Sequence, residues 1–152
     1  MSPRSEYPDQ PVVGVGGVII SSDRALLIRR GSEPLKGEWS IPGGRLERGE
    51  TIAEGVVREL REETGLDVRV LSLIEVFERI FPDEAASGPA APRYHFVILD
   101  YLCEAFTGEP RPGSDVTELA WAREEELGRF GLTATATRIL RKAFEMARQS
   151  PR

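Results

Sequence analysis

The 152-residue sequence is short of cysteine, of long apolar runs and of net positive charge. Its single cysteine, Cys103, excludes an internal disulfide and leaves too few thiols for a zinc site. Because Cys103 lies within an apolar run, it reads as a small buried hydrophobe rather than a reactive thiol. No stretch approaches the ~18 consecutive apolar residues of a membrane span. The opening MSPRSEYPDQP has no apolar core of signal-peptide length. A cytoplasmic protein with no membrane partner is therefore expected. With 20 Lys and Arg against 25 Asp and Glu, the formal net charge is −5, which argues against a general nucleic-acid-binding surface. A small anionic substrate remains compatible with that charge if cations gather locally.

What is present is ordinary globular composition, 40% hydrophobic and 30% charged, at a length suited to one domain. Residues 1–11, with three prolines, read as a loose N-terminal tail, 12–148 as a single domain, and 149–152 as a C-terminal tail. VVGVGGVII (Val12–Ile20) and RALLIRR (Arg24–Arg30), separated by SSD, read as a β-hairpin. Gly14, Gly16 and Gly17 do not fit a dinucleotide fingerprint, and no helix follows them. Asp67–Phe81 has strand character, and residues 82–93 read as a mobile loop. Tyr94–Phe106 is expected to be a central strand buried on both faces. VTELAWA reads as a short strand, and REEEL as a helical turn. Thr133–Arg148 places Ala136, Ile139, Leu140, Ala143, Phe144 and Ala147 at amphipathic helical spacing. There is no internal repeat.

The unusual segment is GGRLERGETIAEGVVRELREETGL (Gly43–Leu66), with six glutamates and four arginines in twenty-four residues. Thr51 and Glu54 form a capping box that starts a helix, and Gly65 is placed to end it. Ile52, Ala53, Val56, Val57 and Leu60 form an apolar stripe. Glu59, Glu62 and Glu63 fall beside that stripe rather than opposite it. Such an arrangement is unfavourable: like charges at i, i+4 repel, partial burial adds to the cost, and the helix C-terminus disfavours carboxylates. Glu54–Arg58 and Arg58–Glu62 are opposite-sign pairs at i, i+4. Glu59 and Glu63 have no basic residue at i±3 or i±4 within the helix. A solvated, salt-bridged face is one reading; oxygen ligands for a divalent cation is the other, and it resolves the conflict. Pro42-Gly43-Gly44 just upstream would let an ion or phosphate approach the backbone.

These residues resemble the signature of the Nudix hydrolases, G-x5-E-x7-R-E-U-x-E-E-x-G-U with U a bulky aliphatic residue. Gly44, Glu50, Arg58, Glu59, Leu60, Glu62, Glu63, Gly65 and Leu66 match every defined position with the spacing intact. The resemblance covers the chain from about Val12 to Arg148. It implies an α/β fold, specifically the Nudix α/β/α sandwich with a mixed β-sheet. It also implies Mg2+- or Mn2+-dependent hydrolysis of the pyrophosphate bond in a nucleoside diphosphate linked to another moiety. By that likeness Glu59 and Glu63 are the main metal ligands, Glu62 shares the metal or orients water, and a carbonyl at Gly43 or Gly44 completes the shell. Glu50 and Arg58 become a structural ion pair. Glu62 and Glu118 are both candidates for the general base.

Substrate-binding candidates are Arg29, Arg45, Trp39 and Phe77, with Phe81 and the 82–93 loop as further walls. Strand alternation lets only one of Arg29 and Arg30 reach phosphate. Trp39 is either a base-stacking or a core residue. His95 reads as a packed or hydrogen-bonded histidine. YHFVILDYLCEAFTGEP followed by SDVTELAW resembles the branch with ADP-ribose pyrophosphatases, so ADP-ribose or a related nucleoside diphosphate sugar is the expected substrate. A triphosphate pyrophosphatase for oxidised nucleotides is the alternative. A non-catalytic nucleotide-sensing or protein-binding module is the alternative of another class. The family likeness leaves a homodimer open.

Overall fold

A computed structural model describes residues 5–83 and 92–149. Seven strands, β1 (Val12–Ser21), β2 (Arg24–Arg30), β3 (Trp39–Ser40), β4 (Gly43–Arg45), β5 (Leu66–Phe81), β6 (Tyr94–Gly108) and β7 (Val116–Arg123), form one mixed sheet. Helix α1 (Ile52–Thr64) and helix α2 (Ala134–Gln149) complete the fold, the latter preceded by a 3-10 turn at Glu124–Arg129. The expected hairpin is present: Ile20 pairs with Ala25 across a two-residue turn whose Ser22 and Asp23 both have positive φ. Such a turn matches the right-handed twist of the flanking strands.

Beyond the hairpin, β1 runs parallel to β6 from Val12↔Phe96 to Ile19↔Cys103 and antiparallel to β4. β2 carries β3 on one side and β7 on the other, and β5 lies outside β6. Alternation along β1 and β2 divides their apolar residues between two cores. Val15, Ile19 and Leu26 pack with Val56 and Leu60 of α1 and with Leu66, Val68 and Cys103. Val18, Ile20, Ala25 and Leu27 pack with Ile139, Leu140, Ala143 and Phe144 of α2. The sheet is thus sandwiched between the helices.

Three sequence expectations need correction. Ala53 is exposed, and Gly55 is buried in its place. β6 is central, but its C-terminal end is open to solvent, with Phe106 62% exposed. Residues 5–7 are tied down rather than loose: Ser5 is buried, the Tyr7 N–H donates to the Arg93 carbonyl at 2.7 Å, and Glu6 pairs with Arg93 at 3.2 Å. Most of the expected 82–93 loop, residues 84–91, lies outside the described residues. No helix among the described residues is long and apolar enough to cross a membrane.

Candidate active site

The glycine turn and α1 are built as one unit. Thr51 Oγ1 accepts from the Glu54 N–H at 3.1 Å and Glu54 Oε1 accepts from the Thr51 N–H at 2.8 Å, closing the capping box. Gly65, at φ 76°, ends the helix in the left-handed region. Pairing of Gly16 with Gly43 and of Val15 with Gly44 holds the turn against β1. Glu63 Oε1 then accepts the Gly43 N–H at 2.8 Å. A side chain at position 44 would push the Glu59 carboxylate from its place, so glycine preserves this approach of turn and helix.

Arg58 is the hub that fixes the carboxylates. Its guanidinium holds Glu50 in a two-pronged contact at 2.6 and 2.8 Å, and donates to Glu59 at 2.8 Å and to the Arg45 carbonyl at 2.9 Å. It also reaches Glu62 at 3.3 Å. These hydrogen bonds hold the Glu50 carboxyl well below its ordinary range, down to about 2. Glu63 behaves oppositely. Burial pushes it up to about 8, with the Gly43 N–H opposing and Glu59 adding to the rise. Burial also raises Glu59, against the pull of Arg58.

Two buried carboxylates beside a backbone turn are a donor set for a hard cation such as magnesium or manganese. At both positions burial outweighs the bonds that oppose it, from Arg58 at Glu59 and from the Gly43 N–H at Glu63. Glu62 is turned outward toward Arg58 and half exposed. Among the described residues, no three acidic, histidine or cysteine side chains are gathered into a metal-sized cage. The residues therefore fit a metal held by Glu59 and Glu63 with backbone oxygen, with Glu62 on the solvent side of the same cavity.

Two cavities meet here. One, of ≈ 490 Å³, holds Glu59, Glu62 and Glu63 together with Arg30, Arg45, Arg48 and Arg58. The other, of ≈ 120 Å³, is an apolar slot walled by Trp39, Phe77, Phe81, Phe96, Ile98 and Ile139. Gly43, Gly44 and Arg30 line both. The α1 carboxylates and the aromatic walls thus lie in adjoining cavities, and Arg30, Arg79 and Asp100 add charge to the slot.

The structure brings together Gly44, Arg45, Glu59, Glu62 and Glu63 in the first cavity, pinned by Glu50–Arg58, and Trp39 and Phe77 in the second. Two candidates fall elsewhere. Arg29 points to the opposite face of β2, where it pairs with Glu118 at 3.2 Å; both are exposed and line neither cavity. Strand alternation gives the inward place to Arg30. Trp39 meets Phe130 edge-on at 5.3 Å, so it serves both core and slot. Cys103 is buried and pushed up to about 12 by burial, as an inert small hydrophobe should be. His95 is half buried and lines neither cavity. Sequence reasoning passed over Asp100 in the slot; its signal was an acid in the middle of the apolar run of β6.

The chain resembles known proteins over most of its length. The family model described as NUDIX domain matches residues 10–144. The chain is 40% identical over 108 residues to an ADP-ribose pyrophosphatase of Methanocaldococcus jannaschii, covering 71% of this chain and 59% of that relative. It is 29% identical over 119 residues to the 8-oxo-dGTP diphosphatase of Escherichia coli, covering 78% and 77%. A crystal structure of a MutT NUDIX hydrolase from Burkholderia pseudomallei superposes with a TM-score of 0.72 at 34% identity, covering 90% of this chain and 98% of that one.

Proposed function

The chain belongs to the NUDIX domain family, and from that premise we propose that it hydrolyses the pyrophosphate bond of a nucleoside diphosphate linked to a second moiety, ADP-ribose or a related nucleoside diphosphate sugar. The observation that carries this reading is the junction of an aromatic slot and a charged cavity at Gly43, Gly44 and Arg30. A base fits the first and a diphosphate the second.

In this reading Glu59, Glu63 and a carbonyl of the Gly43–Gly44 turn hold Mg2+ or Mn2+. A divalent cation bound there neutralises phosphoryl charge and lowers the pKa of water. Arg30, Arg45 and Arg48 line the same cavity and bind the phosphate oxygens. Glu62, the half-exposed carboxylate of the cluster, takes the proton of the attacking water as its oxygen bonds to phosphorus and the bridging P–O bond breaks. This reading assigns the base to Glu62 rather than to Glu118, which pairs with Arg29 and lines neither cavity.

A hydrolysis panel run in magnesium and again in manganese tests the proposal. AMP plus ribose 5-phosphate from ADP-ribose is the expected result. Nucleoside monophosphate plus pyrophosphate from 8-oxo-dGTP, with ADP-ribose untouched, would replace it with the activity named for the Escherichia coli relative. No product from any nucleotide in either metal would leave only a binding module.

A further inference from the structure

Asp100 is a charged residue where a core should have none. It lies in the middle of β6, paired with Gly16 of β1 and Glu75 of β5, and is only 4% exposed. Among the described residues, every fully enclosed side-chain nitrogen or oxygen has a hydrogen-bond partner. The Asp100 carboxyl has none, so its oxygens stand open to the slot that it lines. The backbone makes room for it, because a side chain at position 16 would strike Asp100 Oδ1. An unpartnered buried carboxyl is costly, and an apolar residue would serve packing better. Its hydrogen bonds are therefore made to whatever fills the slot, water in the free protein and a ligand that displaces it.

The slot describes that occupant. Trp39, Phe77, Phe81 and Phe96 offer flat apolar walls, and the open end passes at Gly43–Gly44 into the cavity proposed for the diphosphate. We infer that Asp100 is the specificity-determining residue of the slot, accepting an N–H from the exocyclic amino group of an aminopurine or aminopyrimidine base. This inference rests on the nucleotide reading of the site. The facing charges do not supply a substitute. Glu75 across β5 repels the carboxylate and is itself tied to Arg138 of α2, while Arg30 and Arg79 line the slot without bonding to Asp100. Burial, with Glu75, pushes the carboxyl up to about 7. Ionised or neutral, it retains an oxygen that accepts an amino proton.

The test removes the amino group and the carboxyl in turn. ADP and purine riboside 5′-diphosphate, which differ only in the 6-amino group, are titrated in magnesium into the wild type, Asp100→Ala and Asp100→Asn by calorimetry. The wild type should bind ADP about 10-fold more tightly or better. Asp100→Ala should bind the two alike, and Asp100→Asn, which retains an acceptor oxygen, should preserve most of the preference. Equal binding by the wild type, undiminished preference in Asp100→Ala, or no binding of either nucleotide overturns the inference. Hydrolysis of ADP-ribose measured alongside separates the two readings. Silence there with discrimination intact overturns catalysis alone, and hydrolysis with equal binding overturns base reading alone.

Discussion

Glu63 and Asp100 are two buried acids with different proposed roles, and each makes a prediction at the residue scale. Replacing Glu63 by Gln keeps an oxygen to accept the Gly43 N–H but removes a carboxylate from the metal position. Even second-shell partners of a metal are worth 10–100-fold in activity, so Glu63→Gln should lower turnover by ~10²-fold or more. The metal-free variant should melt above the wild type, because a buried acid is gone. Turnover near wild type would refute the metal assignment. Asp100 gives a pH signature. Its folded-state pKa of about 7 lies above the ordinary 3.8, so the native state binds more protons than the unfolded chain between those values. Stability contributed by the neutral acid is present below about pH 4 and lost as pH rises through about 7. The gain in melting temperature from Asp100→Asn should therefore be small at pH 4 and largest at pH 8, as read by thermal melts across that range. A gain independent of pH would show that Asp100 does not titrate there.

At the scale of elements, α1 shows what local sequence encodes and what it omits. Both caps were legible because each depends on residues three positions apart or on one glycine, and Thr51, Glu54 and Gly65 occupy the expected places. Thr51→Ala should cost about 1 kcal/mol, a fall in melting temperature of roughly 2–4 °C for a protein of this size. Turnover should be unchanged, because the end of α1 proposed to hold the metal is fixed separately by Arg58. A large loss of activity would mean that the cap also sets the site. The Arg58–Glu59 contact was not legible. Neighbouring residues on a helix do not face each other; here Glu50, from the preceding loop, draws the guanidinium into a position from which it reaches Glu59 as well. Arg29 and Arg30 present the converse case. Alternation established that one faces inward, but only the pairing of β2 with β7, which sets Arg29 opposite Glu118, decides which.

At the scale of the molecule, periodicity gave the two amphipathic helices and the family resemblance gave the sandwich, whereas the parallel pairing of β1 with β6 was not legible, because it joins residues more than eighty positions apart. That pairing brings Gly16 beside Asp100 and lets the slot open onto the turn at Gly43. The same long-range assembly places Glu59 and Glu63 together under burial, without a full counter-charge. The metal-free fold therefore carries an internal electrostatic penalty, and an ion that binds only the folded chain should relieve it. At a metal concentration 100-fold above the dissociation constant, linkage gives about 2.7 kcal/mol, or roughly 5–10 °C in melting temperature for this size. Thermal melts in EDTA, magnesium and manganese should show a rise of that order with either metal, and the rise should disappear in a Glu59→Gln, Glu63→Gln double variant. If both metals leave the wild type unmoved, these acids serve the free protein only as a strained structural pair; if the double variant still responds, the ion binds elsewhere on the chain.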